Sequence, residues 1–351
     1  MRKIKKRKDK IIAIVSIAVM VLSILSVTIV CLMNTRLFDE SEGGIVSQPD
    51  HIAIPNEIKD KYMNFLIVGL DESERLTDII MIASLDVEKK TIRILQIPRD
   101  SYVGVGSTGK INEAYNNGDS ELSPINRLVS TINTQYALPI SHYVTVTLEA
   151  FRGVVDAMGG IKINMPYTIH HDNGIVIEEG EQVLNGDEAE ALVRHRRSYA
   201  EADIGRIKAL RIFVAAAFAQ AKEMGIGEVT GVAKAAWGDF TTDLTINEIL
   251  TIANVVIDVD MADISMHMVP GEGVSPSDPL NTTGLSIWSM HKQETADLLN
   301  KYFRPYSDPV EADDLAIKEI KNSTDWYSDE NTKENLEDVI EGDGKSPSQL
   351  Y

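Results

Sequence analysis

The spacing of apolar and polar residues predicts alternating strands and helices along most of the chain. The clearest strand is residues 63–70, a nearly continuous apolar run ending at a polar loop, as in a strand buried on both faces. Further strands are expected at residues 79–85, 91–97, 143–147, 161–165 and 265–269. Helices are expected at residues 124–136, 148–158, 186–194, 204–224, 245–256 and 289–303. This alternation indicates an α/β domain with a central sheet between helical layers.

Polar residues mark several of the predicted helix ends. Asn185 is placed to cap the helix at residues 186–194, and Thr245 with Glu248 forms a capping box for the helix that follows. Gly159 and Gly160 are expected to stop the helix before them. These signals support the predicted helix boundaries.

The N-terminal region predicts a membrane anchor. Residues 1–10 carry seven basic side chains, and residues 11–33 are 23 residues without a charge. At roughly 1.5 Å per residue this segment spans about 34 Å, enough for a hydrocarbon core of about 30 Å. The basic flank places the N-terminus in the cytoplasm and the rest of the chain outside. A cleavable signal peptide is the alternative, but no Ala-x-Ala cleavage site follows.

The rest of the chain divides into a stalk at residues 34–60, a folded domain at 61–305 and an acidic tail at 306–351. The tail has few large apolar residues, so we expect most of it to be solvated, with a short helix at residues 310–320. Cys31 is the only cysteine and lies in the predicted span, which leaves the outer part without a disulfide. The formal net charge of −19 argues against a nucleic-acid partner.

Against this acidic background, one short segment gathers cations. It contains Arg194, Arg196, Arg197, Arg206, Lys208 and Arg211. Guanidinium groups match phosphate in bidentate geometry, so a phosphate or pyrophosphate site is one interpretation. The other is a helix face laced with salt bridges to Glu188, Glu190, Glu201 and Asp203. The cluster alone does not decide between them.

Three loops after predicted strands carry further candidate residues. Asp71 follows the first strand directly, with Arg75 and Asp78 placed in the same loop, at the edge where ligands of open α/β sheets collect. Two such carboxylates can share a Mg²⁺ ion with phosphate oxygens, although loop aspartates more often cap turns. Arg99 follows the third strand and is expected at the same edge, and Lys110 brings a further cation to the rim.

Two other patterns are set aside. Residues 104–110 have the glycine spacing of a nucleotide-binding phosphate loop, but Ile111 stands where Mg²⁺ needs Ser or Thr, and the helix that could follow is short. The histidines do not form a metal site: His170 and His171 are consecutive, and His195, between arginines, is expected to stack or pack.

Six segments between residues 63 and 218 together carry a family resemblance. They are Phe65-Leu-Ile-Val-Gly-Leu-Asp71, Arg75-Leu-Thr-Asp78-Ile-Ile-Met81, Ile97-Pro-Arg-Asp-Ser-Tyr-Val103, Lys110-Ile-Asn-Glu-Ala-Tyr115, Val155-Asp-Ala-Met-Gly-Gly-Ile161, and Val193-Arg-His-Arg196 followed by Asp203-Ile-Gly-Arg206. This combination resembles the LytR-CpsA-Psr family of Gram-positive cell-wall proteins. The resemblance implies an α/β/α sandwich with a central mixed sheet, after one N-terminal transmembrane helix.

The resemblance also implies an activity. Family members act as phosphotransferases that move a glycopolymer phosphate, such as teichoic acid or capsule, from an undecaprenyl-pyrophosphate carrier to a peptidoglycan hydroxyl at the outer face of the cytoplasmic membrane. By position, Asp71 and Asp78 would hold Mg²⁺ (or Mn²⁺) or activate the hydroxyl, and Asp203 would order the arginines. The residues that would bind pyrophosphate are Arg75, Arg99, Arg194, Arg196 and Arg206, with Lys110 at the rim.

The chain departs from the family pattern at three places, one of which is Leu76, where arginine is commoner. Ala209 and Leu210 stand where the family usually has an Arg-Gln pair, and Glu72 stands where arginine is common after the first aspartate. Fewer cations and one more acid would weaken pyrophosphate binding. A non-catalytic protein that binds the carrier lipid and regulates envelope assembly is therefore an alternative, and a lipid pyrophosphatase is another.

Overall fold

The structure is a computed structural model that describes residues 54–171, 173–195, 202–235, 240–321, 323 and 333–335. The predicted membrane span at residues 11–33 lies outside these residues. Within the described ranges, no helix has both the length and the apolar character needed to cross a membrane.

In the part of the chain that the structure describes, the body is built on a seven-stranded mixed sheet, accompanied by three two-stranded sheets. The strands are β1 (Tyr62–Leu70), β2 (Thr77–Asp86), β3 (Thr91–Gln96), β4 (His142–Val146), β5 (Ile161–Met165), β6 (Ile169–His170), β7 (Val176–Ile177), β8 (Gly180–Leu184), β9 (Phe240–Thr242), β10 (Ile264–Met268), β11 (Gly271–Val274), β12 (Ile287–Met290) and β13 (Lys333–Asn335). The large sheet has the order β13-β10-β3-β2-β1-β4-β9. Strand β2 runs antiparallel to both neighbours, while β1 is parallel to β4 and β3 is parallel to β10.

Helices cover both faces of this sheet. They are α1 (Pro124–Tyr136), α2 (Leu148–Ala157), α3 (Gly186–Arg194), α4 (Ala202–Ala235), α5 (Ile246–Ile257) and α6 (Lys292–Tyr302). Successive side chains of β1 alternate between two cores, as the two-residue period of a strand requires. Phe65 and Ile67 belong to a core formed with α2, α3, α4 and α5, whereas Leu66 and Val68 belong to a core formed with α1 and α6. The expected α/β/α sandwich is therefore confirmed.

The predicted elements are confirmed for most of the body, and the differences have physical reasons. Helix α1 has the predicted bounds, and Asn185 and Thr245 each form a capping box at the start of their helices. Helix α4 runs further than predicted, to Ala235. The predicted helix at residues 289–303 begins as strand β12, which pairs with β11 before α6 starts at Lys292. A short buried apolar run has the same appearance in a strand and in a helix.

Residues 306–321 differ from the expected solvated tail because they pack on the body. Val310, Leu315 and Ile317 are buried in the core beneath α1 and α6, and the backbone amide of Ala316 donates to the carbonyl of Thr134 at 3.1 Å. The predicted helix here is a single 3-10 turn, Ala312–Asp314. The sparse apolar residues of this segment are the ones it buries, without any helical period. Further along, β13 adds to the edge of the sheet beside β10.

A glycine contact brings helix α3 close to α2. A Cβ atom at Gly186 would lie 2.6 Å from the carbonyl oxygen of Arg152, and the Gly186 amide donates to Asp156 Oδ1 at 2.7 Å. Such a separation leaves no room for a side chain. Because Arg194 is the last residue of α3, this contact also fixes where its guanidinium group can reach.

We expect Gly186→Ala and Gly153→Ala to change stability in opposite directions. The first pushes α3 away from α2 and should lower the free energy of unfolding by about 1–3 kcal/mol. Gly153→Ala adds a methyl group to α2 where nothing lies within 4 Å. It should raise the free energy of unfolding by about 0.5–1 kcal/mol, because helix interiors favour alanine over glycine. Urea denaturation followed by circular dichroism measures both. Equal effects of the two substitutions would contradict the proposed contact.

Candidate active site

A cavity of about 560 Å³ lies at the edge of the sheet where β1, β3 and β4 end. Its volume lies within the range of about 300–1,000 Å³ that is typical of small-molecule sites. The residues that line it are Gly69, Leu70, Asp71, Glu72, Leu76, Asp78, Ile79, Arg99, Val146, Thr147, Leu148, Phe151, His171, Val193, Arg194 and His195. Four of the residues singled out from the sequence, Asp71, Asp78, Arg99 and Arg194, therefore share one cavity with an apolar wall.

Asp71 holds the loop between β1 and β2. Its Oδ1 accepts hydrogen bonds from the backbone amides of Arg75 and Leu76, both at 3.0 Å, and the Ser73 hydroxyl donates to both carboxylate oxygens. Burial opposes the charge of Asp71, but the hydrogen bonds from Leu76, Ser73 and Arg75 outweigh it and lower the pKa of this carboxyl group. The turn-capping interpretation therefore holds for Asp71, whatever else it binds.

Asp78 forms an ion pair with Arg99 at the cavity wall. The Arg99 guanidinium donates to Asp78 Oδ1, and the two side chains are only 17% and 14% exposed. The sequence predicts Asp78 in the same loop as Asp71, and this prediction is wrong. In the structure Asp78 is the second residue of β2. Because this pair is largely shielded from water, it fixes the orientation of Arg99 toward the cavity.

Lys110 and Arg75 are placed less centrally. The ammonium group of Lys110 lies 3.1 Å from Asp100 Oδ1, and the same oxygen lies 3.9 Å from Arg99 Nε. Neither Lys110 nor Asp100 lines the cavity, and Asp100 stands between Lys110 and the cavity-lining Arg99. Arg75 is exposed on the loop after β1 and also lies outside the cavity lining.

Arg194 joins two sides of the cavity. Its Nη1 lies 2.7 Å from Glu190 Oε1 on the same helix and 2.8 Å from Glu72 Oε1 on the loop after β1. Burial lowers the pKa of Arg194, but the hydrogen bonds to Glu72 and Glu190 outweigh it and raise the pKa. Both interpretations of the arginine cluster thus apply to Arg194, which is salt-bridged and also lines the cavity.

Among the other residues of the arginine cluster, Arg211 has a described side chain, and it lies away from the cavity. Arg196 lies outside the described residues, and Asp203 and Arg206 lie on the first turns of α4, where only the backbone is described. Arg211 is 2% exposed, and its Nε donates to Gln96 Oε1 at 2.6 Å in the core. Proximity in sequence therefore did not place Arg211 at the cavity.

Sequence reasoning did not assign His171 and His195 to the site. Both line the cavity, with ring centroids 5.8 Å apart. The expectation that His195 packs is confirmed, since it is 3% exposed. The apolar wall, with Val146, Phe151 and Val193, was also missed, because these residues look like ordinary core positions in the sequence. Only their places at the ends of β4, α2 and α3 reveal their role.

The loop at residues 104–110 binds its own carboxylate. The backbone amides of Ser107 and Thr108 donate to Glu113 Oε2, at 2.5 and 3.1 Å, and Gly106 has a φ of 76° that makes this wrap possible. Burial opposes the charge of Glu113, but the bonds from Thr108 and Ser107 lower its pKa. Only a 3-10 turn, Ile111–Glu113, follows. An internal carboxylate thus occupies the position that a nucleotide phosphate would need.

Metal binding would depend on few ligands. Across the described residues, no three histidine, cysteine, aspartate or glutamate side chains are grouped as a metal site. Asp71 and Asp78 do line the same cavity and offer carboxylate oxygens, the donors that Mg²⁺ prefers. Mg²⁺ usually takes one or two carboxylates together with water and substrate phosphate oxygens. The residues present are compatible with a Mg²⁺ ion that arrives with a phosphorylated ligand.

The fold and the cavity together define an α/β/α protein whose sheet edge can hold an amphipathic anion, with guanidinium groups beside an apolar wall. The chain matches the LytR_cpsA_psr family over residues 36–304, which is most of its length, and it belongs to this family. The resemblance noted in the sequence is therefore confirmed.

Curated relatives carry a shared name. The chain is 31% identical over 193 residues to the polyisoprenyl-teichoic acid–peptidoglycan teichoic acid transferase TagU of Halalkalibacterium halodurans, an alignment that covers 52% of this chain and 62% of the relative. It is 28% identical over 216 residues to TagV of Bacillus subtilis, named as the same kind of transferase, with 57% and 54% covered. The chain thus spans between about half and 62% of the length of these relatives.

Solved structures agree in fold. The crystal structure of B. subtilis TagV matches with a TM-score of 0.59 and 25% identity, and covers 68% of this chain and 95% of that one. A structure of TagT bound to the ligand named LIIa-WTA matches with a TM-score of 0.56 and 18% identity, with 73% and 92% covered. At that identity the second likeness concerns the fold alone.

We expect Asp71→Asn to destabilise the protein at neutral pH and to lose this effect in acid. Because the folded-state pKa of Asp71 is lowered, its charge stabilises the fold above the ordinary aspartate pKa of about 3.9, and this contribution disappears as the pH falls through and below that value. For a partly exposed loop we expect a difference of about 0.5–1 kcal/mol at pH 7. Urea denaturation at a series of pH values measures it.

Asp71→Ala serves as the comparison, because it removes the hydrogen-bond acceptor as well as the charge. At pH 7 it should lower the free energy of unfolding by more than Asp71→Asn does. Part of this loss should persist when the wild-type carboxyl group is protonated. A deficit of Asp71→Asn that stays constant with pH would show that charge has no part in the effect.

Proposed function

We propose that this protein is a membrane-anchored extracytoplasmic phosphotransferase. Its substrate would be a glycopolymer linked to undecaprenyl pyrophosphate, and its acceptor a hydroxyl group of peptidoglycan. The observation that carries the proposal is the cavity in which Arg99 and Arg194 stand beside Asp71, Asp78 and an apolar wall. Guanidinium groups suit the pyrophosphate, and the wall suits the start of a prenyl chain. The names of the curated relatives support the same substrates.

The proposed reaction needs positioning and charge stabilisation rather than a protein nucleophile. The acceptor hydroxyl oxygen bonds to the phosphorus that carries the glycopolymer, and the bond from that phosphorus to the bridging oxygen breaks. The carrier leaves as a prenyl monophosphate, and the hydroxyl proton passes to a carboxylate or to water. Arg99, held by Asp78, would face the charge that develops on the phosphoryl oxygens. Arg194 would bind the other end of the pyrophosphate.

Asp71 and Asp78 would hold Mg²⁺, or Mn²⁺, together with phosphate oxygens. The ion would supply Lewis-acid neutralisation of the phosphate charge. Asp71 keeps the loop that it caps, so the metal would approach a carboxylate already oriented by Ser73, Arg75 and Leu76. Arg196, Arg206 and Asp203 would complete the pyrophosphate site from the segment after α3.

The anchor at residues 11–33 would hold this cavity at the outer face of the cytoplasmic membrane. A lipid carrier is confined to that surface, so anchoring restricts the search of the enzyme to the layer that contains its substrate. The basic flank at residues 1–10 fixes the orientation by the positive-inside rule.

A second function is favoured by two features of this chain. Glu72 neutralises Arg194 from within the cavity, and Ala209 and Leu210 are buried core residues at positions where the family usually has arginine and glutamine. Both features reduce the positive charge available to a pyrophosphate. A non-catalytic regulator that binds prenyl pyrophosphate is therefore the competing proposal. A lipid pyrophosphatase would use the same residues, with water as the acceptor.

We expect full-length protein in detergent to join a prenyl-pyrophosphate-linked glycan to a peptidoglycan oligosaccharide in the presence of Mg²⁺. Arg99→Ala should reduce the rate by about a hundredfold or more, as the loss of one donor does in other electrostatic sites. Arg99→Lys should also be impaired, because it keeps the charge but loses the bidentate fork. Mass spectrometry of the products measures transfer.

The control for that experiment is Arg127→Ala, on helix α1 and outside the cavity lining, which should leave the rate unchanged. Release of prenyl monophosphate without a joined product would identify a pyrophosphatase. Tight binding of the lipid without turnover would favour the regulator. A joined product that Arg99→Ala does not reduce would place the reaction elsewhere.

We expect removal of divalent metal by EDTA to stop transfer, and Mg²⁺ or Mn²⁺ to restore it. Binding of Mn²⁺ in the presence of a prenyl pyrophosphate, followed by its electron paramagnetic resonance signal, should weaken in Asp71→Asn. The matched control is Asp119→Asn, because Asp119 also caps a turn but lies outside the cavity lining. Equal Mn²⁺ binding by both variants would remove Asp71 from the proposed metal site.

A further inference from the structure

Glu72 and Arg194 form an ion pair between two walls of the cavity. Glu72 lies on the loop after β1, Arg194 is the last residue of α3, and their Oε1 and Nη1 atoms are 2.8 Å apart. Both residues line the cavity. An anion that enters to bind Arg194 therefore meets a carboxylate already bound to the same nitrogen atom.

The two carboxylates on Arg194 differ in how firmly they are held. Glu190 is 14% exposed, sits one turn before Arg194 on α3, and also accepts a hydrogen bond from Arg152. Glu72 is 74% exposed and reaches Arg194 from the loop. Exposed ion pairs contribute little net stability, because water solvates the separated charges. Glu72 is therefore the partner that an incoming anion can displace.

The loop allows this exchange without unfolding. Asp71 holds the backbone amides of Arg75 and Leu76, and its carbonyl accepts from the amide of Glu74, so the loop is anchored around Glu72. Only the side chain of Glu72 has to rotate away for Arg194 to donate hydrogen bonds to another anion.

From this arrangement, and resting on the proposed function, we propose that Glu72 is an internal competitor of the phosphate ligand for Arg194. Carboxylate and phosphate oxygens accept from a guanidinium group in the same geometry. Glu72 thereby raises the dissociation constant of every phosphorylated ligand that reaches Arg194, and it returns to Arg194 when a phosphorylated product leaves. It is a residue that sets affinity and release.

The test measures binding of farnesyl pyrophosphate to the full-length protein in detergent by isothermal titration calorimetry. Glu72→Gln keeps the size of the side chain and removes its charge, so the dissociation constant should fall roughly fivefold, the upper range for an exposed ion pair. Glu74→Gln removes the same charge from the same loop, where Glu74 is exposed and outside the cavity lining. It should change binding by less than about twofold, since water and salt screen an exposed charge that lies outside the cavity.

A double-mutant cycle separates competition from general repulsion. In an Arg194→Ala background, Glu72→Gln should no longer tighten binding, because the contested partner is gone. Tightening that persists without Arg194, or equal tightening by Glu74→Gln, would overturn the proposal while leaving the binding site intact. If neither wild type nor any variant binds the lipid pyrophosphate, the proposed function fails and this inference fails with it.

Discussion

Burial of both faces of the central sheet is the constraint on which the site depends. Strand β1 sends alternate side chains into two separate cores, each closed by helices. Both faces are thereby shielded from solvent, which reaches the sheet at its edges, although the core also holds the buried hydrogen bond of Arg211 to Gln96. At one edge, β1, β3 and β4 end together, and the loops that leave them carry Asp71, Arg99 and Thr147 to one cavity. The polar groups at this edge need not be accommodated in either core.

The antiparallel strand β2 is what brings the central ion pair together. Met81 on β2 pairs with Gln96 on β3. Continued three residues back from Met81 and three residues on from Gln96, the same antiparallel register sets Asp78 opposite Arg99, and these two residues form the ion pair. In an all-parallel sheet, the start of one strand and the end of its neighbour would lie at opposite edges. The mixed topology therefore brings a carboxylate from the start of β2 to the edge where β1, β3 and β4 end.

The residues of the site differ in how far the local sequence predicts their positions. Strands β1, β2 and β3, the helix at residues 124–136 and the caps at Asn185 and Thr245 follow from local patterns, and the structure has all of them. The prediction that Asp71 and Arg99 lie at the same edge of the sheet follows from the topology of α/β folds. The contact of Glu72 with Arg194 joins residues 122 positions apart, and no local pattern encodes it. Likewise, Arg211 belongs to the same arginine-rich segment but faces Gln96 in the core.

The charges at the cavity bear on how this acidic protein would bind the proposed phosphate ligand. Arg99 is paired with Asp78, Arg194 with Glu190 and Glu72, and the nearby Lys110 with Asp100. A phosphate that enters would not meet bare positive charge, since Asp78 and Glu190 would stay on their arginines and Glu72 is the carboxylate that it would displace. Affinity then depends on whether the ligand matches the guanidinium geometry better than the carboxylate does, rather than on net charge. Small anions from solution would then bind weakly. A ligand that can contact two arginines and also reach the apolar wall would bind more tightly.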